Sequence, residues 1–188
     1  EISLGLVGSE MCIRDSIKMV VEQNPQIPDR TASLLNDETD PTMALYATCK
    51  RLESAGANAI AIPCNTAHAF VERIQEHLRV PIVNMLTETI DWIRQTYGRD
   101  RTVGLLATSG TVASQVYHQA ASRAGLEIVV PAPDYQKLVM EAIYGERGVK
   151  AGFTEGLCRD QLLIAAEHLT EVGATVLILG LSLIHISE

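Results

Sequence analysis

No apolar run in the sequence approaches the length of a bilayer span, so no part of it reads as crossing a membrane. Basic clusters are also missing. Lys and Arg number 15 against 23 Asp and Glu, and they are scattered singly through a chain of formal charge −8. That balance argues against nucleic acid or an anionic membrane surface as the main partner. No basic segment precedes an apolar stretch at the start, so a secretory signal is not expected. The chain has no CxxC pair and no His pair at ligand spacing, so no metal is expected. Its four cysteines lack paired spacing and read as reduced thiols of a cytoplasmic protein, not as a disulfide frame. Aromatic residues are only 4% of the chain, but 47% of it is hydrophobic and 20% charged, which excludes a disordered or collagen-like polymer. A length of 188 residues suits one α/β domain or two half-domains sharing a cleft.

The two ends stand apart from the rest. Residues 9–16 read SEMCIRDS and residues 181–188 read LSLIHISE. Codons can be written for the first whose reverse complement translates as the second, so one DNA segment read on opposite strands encodes both. The pair looks like translated transposase-adapter sequence. Residues 1–16 and 181–188 are therefore expected to be non-native and are set aside. This removes Cys12 and His185. What remains, residues 17–180, reads as a fragment that starts inside one element and stops at a strand end.

Within that body the pattern alternates. A short apolar run at 17–21 predicts a strand, and the proline-punctuated stretch at 24–31 predicts a loop. Leu45, Cys49 and Leu52 recur at helical spacing up to Gly56. Strands are predicted at 59–63 and 81–84, with a helix carrying Phe70, Ile74 and Leu78 between them and another over 87–95. The polar, turn-rich segment 97–100 is the expected boundary between an N-terminal subdomain, 17–97, and a C-terminal one, 98–180. The second half repeats the plan, with strands at 103–107, 127–130 and 175–180 and helices at 112–124, 135–144 and 153–172. Such alternation predicts an α/β fold of parallel sheets. In that fold ligands sit beyond the carboxyl ends of strands, where Cys64 and Thr108 fall.

Cys64 is the sharpest candidate. It lies between a strand and a helix start, where an anion is stabilised and a thiolate could be reactive; a plain buried strand end is the alternative. The polar pair Asn65-Thr66 that follows favours the first reading, because buried strand ends rarely carry such groups idly. Cys49 and Cys158 sit among leucines and read as core. His68, four residues after Cys64, invites a Cys–His dyad but can equally cap or bond a neighbouring carbonyl. Thr108-Ser109-Gly110-Thr111 offers hydroxyls and N–H groups at a helix start, suited to a carboxylate or phosphate or to ordinary capping. Arg30 and Lys150 lie in stiff or glycine-flanked loops, either as surface charges or as carboxylate partners. Gly56-Ala57 and Gly173-Ala174 both precede a strand, and each places the same structural slot eight residues after its glycine. The first slot holds Cys64, and the second falls at position 181, where Leu181 stands.

Three segments, Asn24-Pro25-Gln26-Ile27-Pro28-Asp29-Arg30-Thr31, Ile62-Pro63-Cys64-Asn65-Thr66-Ala67-His68 and Gly104-Leu105-Leu106-Ala107-Thr108-Ser109-Gly110-Thr111, resemble the aspartate/glutamate racemase family. The resemblance implies two flavodoxin-like subdomains related by a pseudo-twofold axis, truncated here at both ends. It also implies a cofactor-independent site between them and a homodimeric parent protein. Its substrate would be a dicarboxylic amino acid, with L- and D-aspartate, or glutamate, interconverted. Two cysteines would face opposite sides of the substrate α-carbon. Cys64 matches the first, and the second is expected at the position of Leu181, so this chain is expected to be inactive or nearly so. Racemisation takes a proton from one face and returns one to the other, which suits two thiols better than one base. Asn65, Thr66, Thr108, Ser109 and Thr111 are placed to stabilise the α-carboxylate. The resemblance assigns Arg30 and Lys150 to the side-chain carboxylate. Three alternatives stay open: a maleate isomerase or decarboxylase of the same superfamily, a Cys–His hydrolase, and an inactive amino-acid-binding fragment.

Overall fold

Asp29 opens the first helix among the described residues. Its carboxylate accepts from the Ala32 N–H at 2.8 Å, which caps helix α1 (Arg30–Asn36) directly behind a proline loop. The structure is a computed structural model that describes residues 18–180. After α1 come α2 (Thr42–Ser54), β1 (Ile60–Ala61), a 3-10 stretch (Thr66–Phe70), α3 (Val71–Gln75), β2 (Ile82–Val83) and α4 (Met85–Tyr97). The second half holds β3 (Thr102–Ala107), α5 (Ser109–Ala113), α6 (Val116–Ala124), β4 (Glu127–Val129), α7 (Pro133–Tyr144), α8 (Leu157–Glu171) and β5 (Val176–Gly180).

Every strand pairing is parallel, as expected where each crossover is made through helices. β1 pairs with β2, with Ile60 opposite Ile82. The second sheet has the order β4-β3-β5, in register from Val103 opposite Val176 to Ala107 opposite Gly180. Val103, Leu105, Leu106 and Ala107 of the central strand are all fully buried, the signature of a strand covered on both faces. One core gathers Leu45, Cys49, Phe70, Val71 and Ile74 behind the first sheet. A second joins Leu86, Ile90 and Ile93 of α4 to Val103, Leu105, Tyr117 and Ile178, so α4 packs with the second sheet. A third, between α7, α8 and β3, contains Cys158 and Leu169. Among the described residues no helix is long and apolar enough to cross a membrane.

Several expectations need correction. Residues 18–21 form no strand, since no neighbouring strand pairs with them, and Val21 is 72% exposed. The loop read at 24–31 ends in α1, because Asp29 supplies a cap that the prolines obscure. The helix read over 112–124 is broken in two. Ser114 Oγ donates to the Thr111 carbonyl at 2.8 Å and Gln115 Nε2 to the Val112 carbonyl at 3.0 Å, which satisfies carbonyls that a continuing helix would use. Gln115 accordingly turns left-handed, with φ 59°. The helix expected from 153 starts at Leu157, after Gly156 at φ 71°. The expected non-native segments, 1–16 and 181–188, lie outside the described residues.

Close approach of α1 to α5 depends on Gly110. A Cβ there would stand 2.9 Å from Thr31 Cα, a backbone atom that cannot swing aside. Gly110→Ala is therefore expected to cost about 1–3 kcal/mol of stability, the range for overpacking. Urea denaturation checks it, and an unchanged midpoint would contradict this packing account.

Candidate active site

The carboxyl ends of β1, β3 and β5 open onto one cavity of about 160 Å³. Pro63, Cys64, Asn65 and Thr66 reach it from the end of β1, Thr108 from β3 and Gly180 from β5. Asp29, Arg30 and Thr31 enter from the start of α1, and Ile143, Tyr144, Val149 and Lys150 from the end of α7 and the loop after it. Parallel sheets create such a crevice because the chain leaves neighbouring strands toward different helices. The volume falls below the roughly 300–1,000 Å³ of sites for drug-sized ligands and suits a small metabolite.

Cys64 is half-buried at the rim of the first core, and its N–H is turned back onto the Ile62 carbonyl at 2.7 Å. The chain then enters a 3-10 turn and the five-residue α3, instead of the single helix the sequence suggests. The two other described cysteines, Cys49 and Cys158, are buried in the cores, and burial raises the pKa of the Cys49 thiol.

Beside Cys64 lies a set of threonine hydroxyls gathered from distant parts of the chain. Thr66 Oγ1 stands 3.2 Å from Thr108 Oγ1 and 2.8 Å from Thr111 Oγ1, and the last two are 3.1 Å apart. Thr108 also caps α5 by accepting from the Thr111 N–H at 3.3 Å. Thr31 Oγ1 donates to Thr108 Oγ1 at 3.4 Å, and the Tyr144 phenol donates to Thr31 at 3.3 Å. Each hydroxyl carries one proton and two lone pairs, so the set can turn its protons toward an arriving anion without moving any heavy atom. Thr66 and Thr108 line the cavity, while Thr111 supports them from behind.

The remaining sequence candidates divide. Ser109 does not line the cavity; its Oγ accepts from Gln136 Nε2 at 3.2 Å. Arg30 does line it, but its Nη1 donates to the carbonyls of Ile27 at 3.3 Å and Pro28 at 3.0 Å, holding the proline loop. The Lys150 ammonium sits 4.0 Å above the Tyr144 ring and 3.9 Å from an Asp29 carboxylate oxygen. Asn65 is buried, and its Oδ1 accepts from the Tyr117 phenol at 2.6 Å; burial raises the pKa of that phenol, which stays protonated. The second cysteine slot, at Leu181, lies outside the described residues. Sequence reading missed Asp29, Thr31, Tyr117 and Tyr144. Thr31 sits inside a quoted motif, but the partners of the two tyrosines are far away along the chain and leave no local signal.

His68 does not touch the Cys64 thiol. Its Nδ1 lies 2.9 Å from the Cys64 carbonyl, and its Nε2 accepts from the Met85 N–H at 3.3 Å. Only the neutral ring protonated on Nδ1 satisfies both contacts. The imidazole thus ties the strand end at Cys64 to the start of α4. Burial lowers its pKa below the usual 6.5, and the same cause lowers that of His118. The unfolded chain therefore binds these protons first as pH falls, so stability is full above about 6.5 and declines below it. Denaturation at about pH 7 and about pH 5 is expected to show this decline, and His68→Asn to flatten it.

The Asp/Glu/Hydantoin racemase family matches residues 9–180. A broad specificity amino-acid racemase, RacX, of Bacillus subtilis (strain 168) is 32% identical over 93 residues, covering 50% of this chain and 40% of that protein. A glutamate racemase of Corynebacterium kroppenstedtii is 32% identical over 131 residues, covering 69% and 43%. The chain thus spans about two fifths of the length of these curated relatives. Among solved structures, Picrophilus torridus aspartate racemase superposes with a TM-score of 0.77 at 24% identity, over 92% of this chain and 70% of that one. Francisella tularensis glutamate racemase superposes at 0.57 with 22% identity, over 86% and 56%. Both likenesses are to the α/β fold with parallel sheets described above.

Proposed function

Because the chain belongs to the Asp/Glu/Hydantoin racemase family, we propose that it comes from an amino-acid racemase that interconverts L- and D-aspartate, with glutamate as the nearest rival substrate. One observation carries the reading: a thiol, a hydroxyl cluster and an ammonium group, from Cys64, Thr66 with Thr108, and Lys150, line a single small cavity. An acidic amino acid offers a matching set, an α-hydrogen for the thiol, an α-carboxylate for the hydroxyls and a side-chain carboxylate for the ammonium.

The chemistry proceeds by two proton transfers. The Cys64 thiolate takes the α-proton, and the electron pair left on carbon spreads into the α-carboxylate, whose growing negative charge Thr66 and Thr108 stabilise by donated hydrogen bonds. A thiol on the opposite face returns a proton to that carbon, inverting it and leaving the second sulfur as the thiolate. On this reading the second thiol belongs at the position held by Leu181, so the chain as it stands racemises little or not at all. Cofactor independence, a homodimeric parent protein and a cytoplasmic location are part of the same proposal, carried by the family resemblance.

Two measurements test it. Aspartate is expected to protect Cys64 from alkylation, and Lys150→Ala to weaken that protection by about tenfold, the scale of one charge-assisted contact. If neither aspartate nor glutamate protects Cys64, the substrate reading fails. Deuterium incorporation at the aspartate α-carbon is expected to be near background for this chain, to rise in Leu181→Cys, and to vanish again when Cys64→Ser is added. Racemisation by the unmodified chain would overturn the two-thiol mechanism.

A further inference from the structure

Asn65 is a partition between two cavities. On one side is the Cys64 cavity; on the other is an apolar one of about 300 Å³, lined by Asn65, Met85, Trp92, Tyr117, Leu177 and other residues of α4 and β5. Tyr117 lines only the second. It is 2% exposed, and its phenol meets Asn65 at 2.6 Å across 52 residues of sequence. A buried phenol proton left without an acceptor is costly, so the bond runs from Tyr117 to the amide oxygen. An amide carries its acceptor and its two donors at opposite ends. With Oδ1 engaged by Tyr117, the NH₂ branch is the one left to serve the Cys64 cavity, which Asn65 also lines.

We propose that Tyr117 is a positioning residue for the Cys64 cavity. It acts through Asn65 and sets the amide so that a donor, not an acceptor, meets an anionic oxygen bound beside Cys64. The inference rests on reading that cavity as a carboxylate-binding site. Without the phenol the amide is free to turn over, and its oxygen then repels the carboxylate that its NH₂ would bind.

The experiment compares two alkylating reagents of similar size, anionic iodoacetate and neutral iodoacetamide, with modification mapped to Cys64 by mass spectrometry. The ratio of the two rates reads how well the cavity receives a carboxylate, and it needs neither substrate nor turnover. Tyr117→Phe is expected to lower the iodoacetate-to-iodoacetamide ratio by about fivefold, the scale of one hydrogen bond. In an Asn65→Ala background the same substitution is expected to change nothing, because the residue it acts through is gone. An unchanged ratio in Tyr117→Phe overturns the proposal, as does an equal fall in both backgrounds. So does a fall accompanied by labelling of Cys49 and Cys158, since both are buried and their modification reports general loosening. Failure of the racemase reading looks different, because acidic amino acids then fail to protect Cys64 while the ratio still depends on Tyr117.

Discussion

Contact between the threonine hydroxyls is the constraint to which the rest of the fold conforms. Thr66 follows the first sheet and Thr108 and Thr111 follow the second, and their oxygens meet within 3.2 Å. Threonine is short, so these contacts require the two backbones to come close. That requirement accounts for the glycine at 110, where α5 presses against α1. It also accounts for α1 itself, since Thr31 reaches the cluster only because Asp29 starts a helix one residue after the proline loop. A junction of uncharged hydroxyls avoids the desolvation penalty that a buried ion pair would carry at the same place.

Neutral groups also fix the two residues that flank this junction. His68 brackets the Cys64 carbonyl against α4, and Tyr117 holds the Asn65 amide from the second core. His68 fastens to the start of α4 and Tyr117 belongs to α6, which packs on α4, so the wall of the cavity on the Cys64 side is tied to the core of the second sheet. Short strands of two residues in the first sheet would otherwise hold the Cys64 segment weakly.

The parts of this architecture that could be read from the sequence are those governed by neighbouring residues. Apolar runs marked β3 and β5, helical spacing marked α2 and α4, and the polar residues after strand ends marked Cys64, Thr66 and Thr108. Where competing local signals overlap, reading failed. Prolines concealed the cap at Asp29, and side-chain bonds from Ser114 and Gln115 broke a helix that contains neither proline nor glycine at the break. Long-range partners were invisible for a different reason. Tyr117 and Asn65, or Tyr144 and Thr31, are joined only by topology, and no periodicity in either segment announces the other.

Lys150 carries a consequence of its own. Its ammonium already has company, the Asp29 carboxylate on one side and the Tyr144 ring beneath. A ligand carboxylate arriving there exchanges partners with Asp29 and does not neutralise a bare charge. Since Asp29 also caps α1, the helix start and the incoming anion draw on the same side chain. A carboxylate bound at Lys150 would thereby be felt at the start of α1, the first helix among the described residues, whereas a ligand too small to reach Lys150 would leave that turn as it was.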